Sequence, residues 1–304
     1  MVESKIGDLL IGAVDMHVHA YPEFDSDHPL RFSNLQHMRI CRDAGMRGVV
    51  IKSHMWPTTT TANLINEALE ADDAENKDFT TFGSFTFNTV TGGLDLFSLE
   101  VALQNSAKVV WLPTTTSRND ASRGNVRADI LPILSKFQME KAIYLLDDNG
   151  QLRPEVKDIV AMCKDYDVAL HTGHISQPER HAVAKEAYAQ GFKKMVFSHP
   201  DSASTKGTYE EILEMAALGC YVELVVNGMM PNYQRVSTAH FAKIIQAVGA
   251  DKVVIDTDYF PSFDYLPCIP DMLRMLYGCL LTKGVSFEQM ETITRESPAA
   301  LLNM

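Results

Sequence analysis

Eight short apolar runs rich in β-branched and aromatic residues, separated by longer stretches with helical periodicity, constrain this chain more than any other feature. The runs cover residues 13–19, 48–53, 80–87, 108–112, 168–171, 194–198, 220–226 and 252–257. Helical patterns fill 34–44, 61–74, 94–104, 154–165, 178–190, 209–218 and 238–248, with a helical pair after Pro270. A parallel strand needs a crossover long enough to hold a helix, so this alternation points to a parallel sheet. Eight units predict a (β/α)8 TIM barrel, with a doubly wound open sheet as the alternative, because alternation alone does not reveal closure. The span 113–150 after the fourth strand is too long for a plain connection and ends on the turn sequence Asp147-Asp148-Asn149-Gly150. It is expected to be an insertion or lid on one barrel domain covering residues 1–304.

Charge and cysteine usage narrow the partners. The 304 residues carry 27 Lys plus Arg against 39 Asp plus Glu, a formal net charge of -12, and no basic face that would track phosphates. Nucleic acid is therefore not an expected partner. No run of about 18 uncharged apolar residues exists, so no membrane span is expected. The first ten residues hold Glu3 and Asp8 where a secretory signal would be basic. The five cysteines (Cys41, Cys163, Cys220, Cys268, Cys279) are odd in number, scattered and without CxxC. That excludes a disulfide framework or zinc ribbon and favours a reducing cytoplasm.

The first run ends Asp15-Met16-His17-Val18-His19. The two-residue period of a strand predicts Asp15, His17 and His19 on one face and Val14, Met16 and Val18 toward the helices. Two imidazoles buried side by side need partners, either hydrogen bonds within the core or a divalent cation for their lone pairs. His171 closes the fifth run, His199 follows the sixth, and Asp258 follows the eighth. With His54 and His174, six of the ten histidines fall at predicted strand C-ends, where barrels of this kind place their sites.

HxH on the first strand, single histidines closing the fifth and sixth, and Asp258 within Asp256-Thr257-Asp258-Tyr259-Phe260-Pro261 resemble the amidohydrolase superfamily of metal-dependent hydrolases. Within it the pattern is similar to the TatD-like and aminocarboxymuconate-semialdehyde decarboxylase-like branch, and the resemblance runs from Asp15 to Pro261. It implies that His17, His19, His171 and Asp258 hold one catalytic metal. It further implies that His199 ligates a second metal or contacts water and substrate, and that Asp258 doubles as general base. Zinc suits a shell of His and Asp, with manganese or iron as alternatives. The chain departs from the pattern on the fourth strand, where Val110-Trp111-Leu112-Pro113-Thr114 offers neither a lysine nor a glutamate to bridge two metals. One metal is therefore favoured over two.

Around this set, Lys52 shares a strand face with His54 and has three readings: a carboxylated bridge, a cation for a substrate carboxylate or oxyanion, or a partner of Asp15 or Asp256. His54 is expected to line the substrate site. His174 would contact substrate or cap a helix, and Asn227 would bond substrate or, like Glu223, cap a loop. Asp256 would orient a ligand or pair with Lys52. Arg118 and Arg123 in the insertion would close over an anionic substrate or stay solvated. Trp56, Met229, Met230, Tyr259 and Phe260 would supply an apolar wall, which favours a small, partly apolar or aromatic substrate.

The expected activity is hydrolysis of an amide, cyclic amide or lactone in a small organic molecule by a metal-activated water with Asp258 as base. The alternative is non-hydrolytic, metal-dependent decarboxylation of an unsaturated or aromatic carboxylic acid. A barrel that binds without turnover is a third reading, against which the retained Asp258 stands. A homo-oligomer is compatible with the sequence, and the apolar segment 273–281 would pack on the barrel or on a neighbour.

Overall fold

The computed structural model describes residues 2–24, 31–72, 78–123, 139–231, 235–261 and 266–304. Each predicted strand forms, within two residues of its expected bounds: β1 (Val14–His19), β2 (Gly48–Lys52), β3 (Thr80–Thr86), β4 (Ala107–Trp111), β5 (Ala169–His171), β6 (Met195–Phe197), β7 (Tyr221–Val225) and β8 (Val253–Asp256). They lie in one parallel sheet in chain order. The last strand meets the first: Val18 bridges Tyr259 in parallel, and the His19 N–H donates to the Tyr259 carbonyl at 2.8 Å. The ring is closed, which excludes the open sheet and makes the fold a (β/α)8 barrel.

That closing seam is sewn largely by side chains. Asp15 accepts from the Thr257 hydroxyl at 2.6 Å and from the Thr257 N–H, while Asp256 Oδ1 accepts from the Met16 N–H at 2.6 Å. The β1–β2 register shifts between Asp15 and Val18, a β-bulge that corrects the expected alternation. Val14 and Met16 join the interior cluster with Val50, Val109, Trp111, Ala169, Val196 and Val254, whereas Val18 packs in the outer core. Asp15 turns to β8, where burial raises the pKa of Cys41 and Tyr277 well above their usual values and the charge of Asp15 adds to both rises. The extra residue leaves His17 and His19 at the mouth.

Among the described residues the helices are α1 (Val2–Leu10), α2 (Asn34–Asp43), α3 (Thr59–Glu70), α4 (Leu96–Gln104), α5 (Arg118–Arg123), α6 (Pro154–Asp165), α7 (Gln177–Gln190), α8 (Tyr209–Ala217), α9 (Thr238–Val248), α10 (Ile269–Thr282), α11 (Phe287–Glu291) and α12 (Ser297–Leu302). Capping boxes at Ser33/Gln36 and Ser176/Glu179 satisfy the first free N–H groups of α2 and α7. The sequence reading did not foresee α1, whose Leu9 and Leu10 are wholly buried. Segment 273–281 lies in α10, with Leu273, Leu276, Tyr277 and Leu280 buried in this chain's own core. Leu301 and Leu302 of α12 pack into the interior cluster from below. Among the described residues, no helix is long and apolar enough to cross a membrane.

Of the insertion after β4, residues 124–138 lie outside the described residues. Its described part holds α5 and two isolated bridges, Ser117 to Ile143 and Leu146 to Leu152. Arg118 lies over the Tyr144 ring at 4.2 Å, and Arg123 donates to the Ser204 carbonyl at 2.6 Å. Both arginines thus make contacts within the protein.

Candidate metal centre

Five imidazoles form a circuit at the C-terminal mouth. Successive ring centroids lie 5.4 Å (His17–His19), 4.7 Å (His19–His54), 5.9 Å (His54–His174), 5.0 Å (His174–His199) and 5.7 Å (His199–His17) apart. His171 sits against Trp111 at 4.9 Å. In all six histidines Nδ1 has a side-chain partner within the protein. The partners are Glu223 Oε1 for His17 (2.9 Å), Glu23 Oε1 for His19 (3.1 Å), Thr114 Oγ1 for His54 (2.8 Å), Asp120 Oδ2 for His174 (2.5 Å), Ser202 Oγ for His199 (3.0 Å) and Ser198 Oγ for His171 (3.3 Å).

The Nε2 atoms are left for other business. Those of His17 and His19 each lie 3.2 Å from Asp258 Oδ1, and Nε2 of His171 is buried with no hydrogen-bond partner. Two imidazole nitrogens and a carboxylate oxygen around one point, with a third buried imidazole nitrogen at the end of β5 lacking a partner, suit a divalent transition metal. His17, His19 and Asp258 form a group whose ligand atoms all lie within 4.8 Å of one another; His199 groups instead with His17 and Glu223. His171 belongs to no such group among the described residues. Lys52 points to the same place, with Nζ 2.9 Å from His17 Nε2 and 5.1 Å from the Trp111 ring centroid. Its expected pairing with Asp15 or Asp256 is not formed.

Burial sets the electrostatics. It pushes His17, His54 and His171 well below the usual imidazole pKa and His199 down to about 3, so these rings are neutral at pH 7. Burial also pushes Glu223 up to about 8, with Asp258 adding to the rise, and Asp15 up to about 7. For Asp258 burial works against the charge, but His19, His199 and Lys52 prevail and hold it at about 2. A stack of buried acids under neutral imidazoles is a place where a cation replaces missing positive charge. Backbone strain marks the same residues: His199 and Asp258 sit at φ of 25° and 50°, in the sparsely populated left-handed region.

A fixed network holds the His54 ring. Asn88 Oδ1 accepts from the N–H groups of Thr114 and Thr116, so the Asn88 amide nitrogen donates to Thr114 Oγ1 at 2.6 Å. The Thr114 hydroxyl can then donate its proton to His54 Nδ1, which would place the ring proton on Nε2, or accept from Nδ1 through its second lone pair. His54 also groups with His19 and Glu23 as ligand atoms within 4.8 Å of one another. His174 arrives by a turn that only glycine permits: Gly173 has φ of 57°, and a Cβ there would stand 2.3 Å from the Leu112 carbonyl oxygen.

Asn227 receives support from its N–H to the Thr257 carbonyl, while its Oδ1 is buried without a partner. Asp256 supports β1 through Met16 N–H. Met230 and Tyr259 are buried, Trp56 and Met229 half-buried, and the Phe260 ring lies 4.7 Å from His19. Sequence reading missed Glu23 and Asp120 and took Glu223 for a capping residue. An acid four residues past HxH was the available signal for Glu23, whereas Asp120, in the short helix α5 of the insertion, gave none.

Solved structures with the same barrel include a probable dipeptidase, PvdM, from Pseudomonas aeruginosa (TM-score 0.64, 13% identity, 99% of this chain and 98% of that one). Another is a metallo peptidase from Rhodobacter sphaeroides liganded with a phosphinate mimic of the dipeptide L-Ala-D-Ala (TM-score 0.58, 11% identity, 96% and 99%). A third is a probable 2-pyrone-4,6-dicarboxylic acid hydrolase from Acinetobacter baumannii with citric acid bound (TM-score 0.53, 9% identity, 97% and 100%). At these identities the likeness establishes the shared fold. No curated protein matches the sequence.

Proposed function

As the chain belongs to the family described as "Family of unknown function (DUF6282)", whose model matches residues 12–223, we propose its activity from the site itself: metal-dependent hydrolysis of a small organic molecule. The observation that carries the reading is the meeting of His17 Nε2, His19 Nε2 and Asp258 Oδ1 at 3.2 Å contacts, with the buried Nε2 of His171 left without a partner. A divalent cation held there, zinc first and manganese or iron as alternatives, would supply Lewis-acid polarisation of a carbonyl and a water molecule acidified toward neutral pH.

The chain's own residues do the rest. His17, His19, His171 and Asp258 hold one cation, and His199 borders it. Asp258, ionised above about pH 2, accepts the proton of the attacking water and returns it to the leaving group. His54 donates its Nε2 proton to the substrate's oxygen, His174 and Asn227 offer further polar contacts, and Lys52 meets negative charge on the substrate. Peptidase and pyrone hydrolase are names that cover an amide and a cyclic ester, the bonds proposed here. The buried Lys52 ammonium favours one second reading, decarboxylation of an unsaturated or aromatic acid held by that cation.

Elemental analysis of protein purified without chelators tests the centre, with His17→Ala beside it. About one metal per chain, lost in the variant, is expected; no metal even after reconstitution would overturn the reading. Screening lactones and cyclic amides against carboxylic acids, with carbon dioxide as the second readout, separates hydrolysis from decarboxylation.

A further inference from the structure

Glu223 touches three of the residues that surround the proposed cation while coming from a fourth strand. Its Oε1 lies 2.9 Å from His17 Nδ1 and 3.6 Å from His171 Nδ1, and its Oε2 accepts the His199 N–H at 2.8 Å. β1, β5 and β6 thus converge on one fully buried carboxylate of β7. On the far side of His17, Lys52 Nζ lies 2.9 Å from Nε2. A protonated Lys52 only donates, which would make Nε2 the acceptor and place the ring proton on Nδ1, pointing at Glu223, against the pull of Asp258 Oδ1, 3.2 Å from the same Nε2. Glu23 stands behind Nδ1 of the second histidine of the pair. It is fully buried, and its Oε1 lies 3.1 Å from His19 Nδ1 and accepts the His54 N–H at 2.8 Å.

We infer that Glu223 and Glu23 are positioning residues that preselect the Nε2-ligating tautomers of His17 and His19, so that two carboxylates which need not touch the cation set its affinity. This rests on the proposed metal centre. A histidine with its proton on Nε2 cannot ligate through that atom, and a carboxylate behind Nδ1 both excludes that form and strengthens the donor. Glutamine shows why both oxygens matter. It has one acceptor where Glu223 meets two donors, His17 Nδ1–H and His199 N–H. Either its amide N–H faces His199 and leaves two donors opposed, or it faces His17 and forces the ring proton onto Nε2.

The test uses the full chain stripped of metal, Zn2+ alone as probe, and competition with a chromophoric chelator. Glu223→Gln is expected to bind Zn2+ about 10- to 100-fold more weakly than the unaltered chain. Long-range 1H–15N NMR of the imidazoles in the metal-free protein is expected to show His17 moving toward the Nε2–H tautomer. Affinity within about twofold, with the tautomer unchanged, would overturn the inference. So would lost affinity with His17 still protonated on Nδ1, since Glu223 would then be a ligand itself. If Glu223→Gln fails to fold by circular dichroism, Glu23→Leu, which removes the single oxygen that meets both His19 Nδ1 and the His54 N–H and that a glutamine would keep, carries the same two readouts on His19, with the same losses expected and the same outcomes overturning. An unaltered chain that does not bind Zn2+ refutes the metal centre, which is distinct from tight binding that ignores both substitutions.

Discussion

Acidification from pH 7.5 to pH 5 is expected to cost the fold about 2 kcal/mol through one histidine outside the metal centre, His37. This side chain on α2 is buried, faces Tyr259 edge-on with centroids 4.4 Å apart, and accepts the Ile269 N–H at 3.0 Å through Nε2. A backbone N–H cannot accept, so the contact exists only while Nε2 is unprotonated. Burial, with a smaller push from Arg31, lowers the pKa from 6.5 to about 3. The sign follows: the unfolded chain binds this proton first, so the stabilisation is complete above pH 6.5 and drains away as pH falls toward 3. At pH 5 the unfolded ring is about 1.5 logarithmic units into protonation and the folded ring is still neutral, which at 1.36 kcal/mol per unit gives the figure above. Urea unfolding of chelator-treated protein at both pH values, beside His37→Gln, isolates the effect, because glutamine keeps an acceptor for Ile269 and does not titrate. The unaltered chain should lose about 2 kcal/mol more than the variant between the two conditions. Equal losses would show that His37 does not carry the proton linkage assigned to it.

The turn at Gly173 is expected to reject a side chain. Gly173→Ala should lose more than about 2 kcal/mol, from left-handed strain and the collision with Leu112, visible as a lowered melting temperature; an unchanged melt would contradict the turn geometry. Asp258→Asn should leave the metal-free melting temperature within a few degrees while slowing turnover on the first substrate found by about 100-fold or more; full activity in the metal-loaded variant would remove Asp258 as the base. Lys52→Met separates the roles of the buried cation: KM for an anionic substrate should rise about tenfold with metal content unchanged, whereas a halved metal content would make Lys52 a ligand. Stripping the metal should lower the melting temperature by several degrees, since saturation about a thousandfold above Kd contributes about 4 kcal/mol, and readdition should restore it.

The barrel was legible because its signal is periodic and repeated: each run of β-branched residues between helical stretches became a strand, and His17, His19, His171, His199 and Asp258 all stand at the mouth. Three things escaped, each for a physical reason. The β1 bulge inserts a residue that no two-residue period can announce, so Asp15 was placed on the wrong face and Met16 on the outside. The short helix α1 owes its place to Leu9 and Leu10 packing against distant sequence. Glu23, Asp120 and Glu223 matter through contacts 4, 54 and 206 residues away from the histidines they hold. Strand position marks which residues reach the mouth but says nothing of what stands behind them.

The proposed ligands are divided across the joint between the first and last strands. His17 and His19 belong to one lip and Asp258 to the other, and around them Asp15, Asp256 and a short backbone contact at Val18 and Tyr259 are what the two lips share. A cation gripped from both sides is a rivet through the hinge line of the cylinder. Breathing at this joint would pull the ligands apart, so the metal's residence time and the frequency with which the cylinder gapes become one quantity. Hydrogen exchange at Met16, Thr257 and Tyr259 would then report on the metal as directly as it reports on the fold.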